Sequence, residues 1–302
     1  MSFFETHKHQ LSLHGVIFLW GFTGILGRLI QVSSTSIVWW RILIAVSGLI
    51  LFMIVAKRSL LTTTNNIVKY LITGCITAGH WVFFFEALKV SNVSITLTSL
   101  ASTSLFVALL EPLFFKRKVI GYEILFGLLT LVGLGLIFQA ETEHSLGVVL
   151  SLISAFLAAL FGTLNGVYVK HDRPSLITAY ELIGGLIGLT IYLYFLGGAG
   201  IEIPIGIDWA WLAILGLVCT SFAFVISIEV MKTLSPFTVS ISINMEPIYA
   251  IIFALIIFKE EEYMSPMFYI GAALVMSMIF MNSYIKRKSA TKRQRFSNNI
   301  PA

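Results

Sequence analysis

Apolar residues in this chain neither alternate with polar ones nor recur only along one helical face; they run on without interruption. Ten such runs can be drawn, at about 11–32, 36–56, 67–88, 93–115, 119–139, 145–168, 176–196, 208–231, 236–258 and 265–285. Each is near the ~20 residues that a helix needs to cross ~30 Å of hydrocarbon. A barrel strand would alternate over ~10 residues, so the unbroken runs predict helices. The first run holds Arg28 and ends in QVSSTS with no small-x-small cleavage site, which reads as a retained span and not a leader peptide. Short connections and a polar segment after Tyr284 are all that remain. The expected fold is therefore an all-α membrane protein of ten transmembrane helices, with no room for a soluble catalytic domain.

Composition agrees. Hydrophobic residues make up 57% of the 302 and charged residues 12%, with a mean hydropathy of +0.91; a soluble domain carries about 25% charged residues. The two cysteines, Cys75 and Cys219, both fall inside predicted spans, so neither a disulfide framework nor a zinc spacing is present. The net charge of +5 could suggest a nucleic-acid partner, but its placement is topological. With the amino terminus in the cytoplasm, sixteen of the twenty Lys and Arg fall on the inner side, six of them between Lys286 and Arg295. The outer connections hold Glu141, Glu143, Glu202, Asp208 and Glu260 to Glu262. This positive-inside bias predicts a multi-pass protein of the cell (inner) membrane with both termini cytoplasmic, and a basic tail that meets anionic lipid and not nucleic acid.

The chain also repeats itself. A shift of 143 residues lays FEALK (85–89) on IEVMK (228–232), and FFK (114–116) on IFK (257–259). Two units of five spans follow, 1–140 and 141–285, with a basic cytoplasmic tail at 286–302. Because five is odd, the second unit must enter the membrane upside down, and the KRK of the fourth connection accordingly meets KEEE in the ninth. Inverted repeats are the signature of alternating-access carriers, whose substrate site lies near the midplane between the halves.

The residues LWGFTGILGRL, WWRILIA, EALKVSN, NMEPIYAIIF and YIGAALVMSMIF, taken in order, resemble the EamA-type branch of the drug/metabolite transporter superfamily along nearly the whole chain. The resemblance implies a ten-helix secondary transporter, often an exporter of amino acids or other small metabolites, with the fourth and ninth spans near the cavity. Two departures stand out. The fourth connection reads FKRKV where such units often carry a Gly-Glu-Arg run, and the first span has no acid, so the essential Glu of related four-helix multidrug exporters has no counterpart there.

Glu246 is the residue that most needs an explanation, because from Phe237 to Phe258 it is the only charge. An ionised carboxylate at the centre of a span costs roughly 2.5–3.5 kcal/mol on insertion scales. Ser235, Thr238, Ser242, Glu246, Tyr249 and Phe253 fall within an arc of about 80° on a helix, a polar and aromatic wall. Pro247 would kink that helix and free the carbonyl of Ile243. Glu246 then reads either as a substrate or proton site or as a packing element hydrogen-bonded across the bundle. On the repeat shift Thr103 lies opposite Glu246 and Phe106 opposite Tyr249, so the acid is not duplicated. Trp20, His80, Trp81 and Asn165 supply further aromatic and polar groups for a substrate site. Arg41 with Glu86 at outer depth, and Glu111 and Glu181 at inner depth, are expected to form charge clusters that gate the two mouths, the alternative being that they snorkel to the interface.

The expected partners are a small-molecule metabolite, the lipid bilayer and protons. No cofactor or metal is expected, since His80 stands alone. The two aspartates, Asp172 and Asp208, lie in connections, and neither HExxH nor GxSxG occurs, which argues against an intramembrane enzyme. A channel would require a selectivity ring or filter. A multidrug or cationic-compound carrier is the nearest alternative function, and a receptor or scaffold leaves the polar ninth span unexplained.

Overall fold

The computed structural model describes residues 3–298 apart from 141, 197, 244 and 260–262, and every regular element within them is helical. The first repeat consists of α1 (Phe3–Leu29), α2 (Ser34–Val55), α3 (Thr64–Val90), α4 (Val93–Leu100), α5 (Thr103–Phe115) and α6 (Gly121–Ala140). The second consists of α7 (Ser145–Tyr168), α8 (Pro174–Phe195), α9 (Asp208–Ala213), a π-helical segment (Ile214–Phe222), α10 (Ala223–Val230), α11 (Pro236–Ile243), α12 (Glu246–Phe258) and α13 (Pro266–Asn298).

Local chemistry sets several of these ends. The Thr63 side chain accepts the amide of Asn66 and that of Asn92 accepts the amide of Ile95, each satisfying a donor that has no partner inside its helix. Pro174 opens α8, where its missing N–H costs nothing.

The sequence predicts ten spans in two repeats, and the described helices follow that order. Among the described residues seven stretches are long and apolar enough to cross a membrane, and α6, α12 and α13 carry the shorter apolar stretches Ile124–Ile137, Glu246–Phe258 and Pro266–Met278. The fourth span is broken between α4 and α5, and the ninth between α11 and α12. Pro247 is therefore not the kink of a continuous helix. It occupies the first turn of α12, where no intrahelical donor is lost. At the carboxyl end α13 continues past the apolar run to Asn298. Glu141 and Glu260 to Glu262, assigned to outer connections from the sequence, lie outside the described residues.

Contacts between connections fix the relative direction of the repeats. On the face where α1 begins, the amino-terminal face, Thr62 and Asn66 bond Asp172 of the α7–α8 connection. On the opposite face the start of α7 meets the α3–α4 connection, with Gly147 against Ser91. Thus α1 and α7, the first helices of the two repeats, enter from opposite faces.

Close helix approach relies on small residues, as in membrane bundles generally. A Cβ on Gly74 of α3 would lie 1.9 Å from the carbonyl oxygen of Glu181 in α8, and one on Gly184 of α8 would lie 2.2 Å from that of Leu71. The exterior is apolar, with Val55, Leu113 and Phe195 each more than 70% exposed. Polar and charged side chains such as Arg41, Glu181 and Glu246 are instead among the buried ones, the arrangement a lipid solvent demands.

Candidate substrate cavity

The helix breaks leave a cavity of about 120 Å³ between the repeats. A single water needs roughly 10–15 Å³ by the same measure, so the space suits a small organic molecule. Residues of α1, α2 and α3, of both halves of the broken fourth span, and of the second repeat's α7, π segment, α10, α11 and α12 line it.

Arg41 dominates one wall. It is 2% exposed, and its Nε donates to Thr220 Oγ1 at 2.5 Å. The guanidinium carbon lies 4.2 Å from the ring centroid of Trp81 and 5.6 Å from that of Phe85, a stacking that desolvation strengthens. Thr220 is available because of the π segment: its hydroxyl donates to the carbonyl of Leu215, five residues back, at 2.6 Å. π-helical turns recur at functional sites. Gly216 lets that segment reach α2, since a Cβ there would sit 2.9 Å from Ile44 and 3.0 Å from the Arg41 carbonyl. Nη1 of Arg41 has no hydrogen-bond partner among the described residues.

Glu246 faces the same cavity from the second repeat. It is 6% exposed and opens α12, where the partial positive charge of a helix start favours a carboxylate. Arg41 and Glu246 interact electrostatically, yet no ion pair joins them among the described residues. A buried guanidinium and a buried carboxyl group thus border one space without an ion pair between them.

The remaining walls are aromatic and weakly polar. Trp81, Phe84, Phe161 and Phe224 form a ring cluster, with Trp81 and Phe161 each 5.9 Å from Phe224. The indole of Trp20 donates to the Cys219 carbonyl at 2.9 Å. His80 Nδ1 lies 2.9 Å from the carbonyl oxygen of Ser154, whose hydroxyl donates back to the His80 carbonyl at 3.0 Å. This arrangement puts the proton on Nδ1 and leaves Nε2 an acceptor on a cavity-lining side chain. Ser240 Oγ and Asn165 Oδ1, both on lining residues, have no partner among the described residues.

Of the site residues expected from the sequence, the structure brings Glu246, Thr103, Trp20, His80, Trp81 and Asn165 together around the cavity, with Arg41 beside them. Tyr249 lies elsewhere, its Cβ against the backbone of α1, where a Cβ on Gly21 would be 3.1 Å away. Ser242 turns its hydroxyl to the Thr238 carbonyl at 3.0 Å, and Phe106 packs edge-on against Phe156 at 5.6 Å. The expected Arg41–Glu86 pair does not form. Glu86 is exposed while Arg41 is buried against Trp81, because α2 turns its arginine inward. The expected inner cluster is also dispersed: Glu111 pairs with Arg117 at 3.5 Å, whereas Glu181 accepts from Asn165 Nδ2 at 3.2 Å. Thr23, Thr220, Phe161, Phe224 and Ser240 escaped the sequence reading. The repeat shift could have found Phe224, which it lays on Trp81; nothing in the sequence marks Thr220, whose role depends on the π segment.

On the opposite face the connection after α8 lies across the α1–α2 connection. Glu202 accepts the amide of Ser33 at 2.9 Å, its own amide donates to Ser36 Oγ at 2.9 Å, and its carbonyl accepts from Trp40 Nε1 at 2.9 Å. Asp208 accepts the amide of Gln31 at 3.1 Å, and Lys89 donates to the Val32 carbonyl.

A multi-pass helical bundle of two like halves around a largely apolar cavity has the architecture of a membrane carrier. The model of the EamA-like transporter family matches residues 10–139 and again residues 145–284, and the chain belongs to that family. It is similar to two proteins of Bacillus subtilis (strain 168), each described as an uncharacterized transporter. YxxF is 24% identical over 222 residues, covering 70% of each chain, and YwfM is 24% identical over 281 residues, covering 91% of this chain and 93% of its own. A solved crystal structure of a protein 15% identical in sequence superposes with a TM-score of 0.69 over 93% of this chain and 98% of its own, a likeness of fold.

Proposed function

We propose that the protein is a secondary active transporter of the cytoplasmic membrane that exports a small zwitterionic metabolite, such as an amino acid, by alternating access and in exchange for protons. The observation that carries this reading is the placement of Arg41 and Glu246 on one cavity without an ion pair between them. Arg41 Nη1 offers a donor to a substrate carboxylate; Glu246 offers an acceptor to an amine, or holds a proton when no amine is present. The aromatic cluster receives an apolar side chain. A carrier of purely cationic compounds would use Glu246 and the rings, but would gain nothing from a buried arginine.

The test is thermal-shift screening of the purified protein against amino acids, nucleobases and cationic compounds, followed by uptake into proteoliposomes under an imposed pH gradient. Stabilisation by zwitterions, and gradient-driven uptake that is lost in Glu246→Gln, are the expected results. Stabilisation by cations alone, or undiminished gradient-driven uptake in Glu246→Gln, would overturn the reading.

A further inference from the structure

Glu181 is a second intramembrane carboxyl group for which the transport scheme has no use. It is 1% exposed and sits in the seam where α8 meets Gly74 of α3. One of its oxygens, Oε2, accepts from Asn165 Nδ2 at 3.2 Å; the other, Oε1, has no partner among the described residues. Asn165 is fully buried in the bundle and lines the cavity, and its Oδ1 is also without a partner. Two acceptor oxygens on adjacent, hydrogen-bonded side chains are thus left over, and one added proton would change the demand of the pair.

We propose that Glu181 is a positioning residue that sets, through a single proton, which end of the Asn165 amide the cavity wall presents to a substrate. An ionised Glu181 can only accept, so Asn165 must turn its NH₂ toward it. A proton on Oε2 turns that oxygen into a donor, which bonds the amide oxygen instead. The Asn165 side chain then rotates about its terminal torsion, a soft one, and turns the NH₂ to the cavity. The wall offers an acceptor in one state and a donor in the other.

Nearer the amino-terminal face lie further polar and aromatic contacts. Thr73 Oγ1 lies 3.2 Å from the Tyr168 hydroxyl, the Tyr168 and Tyr70 rings lie 4.9 Å apart, and Tyr70 donates to Asp172 at 2.6 Å. Tyr70 of α3 and Tyr168 of α7 interact with Glu181 electrostatically, and Cys75 of α3 donates to the Gly184 carbonyl of α8 at 3.3 Å. On α8 itself Tyr180 donates to the Leu60 carbonyl. Arg41, the only charge of α2, is held by Thr220 and Trp81, and Glu229 of α10 pairs with Lys232 at 2.8 Å.

This inference deepens the transport reading, and its test does not depend on knowing the substrate. Infrared difference spectra of the full-length protein in lipid, recorded between alkaline and acid buffer, should show a carboxylic-acid carbonyl band. That band should vanish in Glu181→Gln, persist in Glu246→Gln, and be accompanied by a side-chain amide band that vanishes in Asn165→Ala. Should Glu181→Gln fail to fold, a shifted acid band in Asn165→Ala supports the assignment and an unshifted one overturns it. Survival of the band in Glu181→Gln, or an acid band with no amide change beside it, would also overturn it. If the bands behave as expected and no compound is transported, the switch stands and the transport reading falls.

Discussion

Thr103 and Glu246 stand 143 residues apart, each opens the second helix of a broken span, and both line the same cavity. The broken helices are thus related by the repeat while their chemistry is not: one half contributes a hydroxyl, the other a carboxylate. The Thr103 hydroxyl is already spent on the Leu100 carbonyl at 2.7 Å, closing the break from within. Thr103→Val should therefore cost about 1 kcal/mol of stability, the usual worth of one hydrogen bond, and leave the pH dependence of uptake unchanged. Thermal unfolding and gradient-driven uptake measured side by side check this; a lost pH dependence would give Thr103 a share in proton handling.

Arg41 is held by a directional bond from Nε and by a stacking contact, and a lysine reproduces neither. Arg41→Lys keeps the charge but loses the Thr220 bond and the planar stack on Trp81, interactions of roughly 1.5–3 and up to about 2 kcal/mol respectively. The expected outcome is a markedly lower melting temperature and loss of stabilisation by zwitterions. Titration of a screened zwitterion against the variant by thermal shift measures it. Affinity equal to the parent's would mean that only charge at this position matters.

How much of this was legible in the sequence follows from what each feature depends on. The spans, the repeat and the inversion rest on hydrophobic length and charge, which are properties of the one-dimensional chain. Glu246 stood out because lipid makes any charge conspicuous, and the repeat shift paired it with Thr103. The Arg41–Glu86 pair was misjudged because depth along a helix says nothing about the direction in which a side chain points. Arg41 and Glu86 share a level but not a face. Tyr249 was placed on the wall by extending one helical wheel across residues 243–246, where the helix is broken and the wheel loses its phase. The partner of Arg41 was out of reach altogether, since a π segment follows from tertiary packing of Gly216 against α2 and carries no residue pattern of its own.

The α3–α8 seam yields a prediction with an internal control. A methyl group on Gly74 would fall 1.9 Å from the Glu181 carbonyl oxygen, a backbone atom that cannot step aside as a side chain can, whereas one on Gly162 meets nothing within 4 Å. Gly74→Ala must then part the two helices, an overpacking cost of at least about 1–3 kcal/mol, while Gly162→Ala should leave the fold intact. Melting temperatures of the two variants in the same detergent decide the matter. Equal values would mean that the seam is looser than its geometry.

The connections on the opposite face supply the last prediction. Glu202 belongs to the second repeat and bonds Ser33, Ser36 and Trp40 of the first; the two halves are thereby tied at one mouth of the proposed route. In an alternating-access carrier such ties must break once per cycle, and their strength biases which mouth is open. Glu202→Ala removes the carboxylate that accepts the Ser33 amide and so favours the state open at that face. Cys219 lines the cavity below and is buried, which makes it a reporter once the exposed Cys75 is replaced by Ser. A membrane-impermeant thiol reagent applied from that face should label Cys219 faster in Glu202→Ala than in the Cys75→Ser parent. Unchanged labelling would show that Glu202 ties a surface loop and holds no mouth shut.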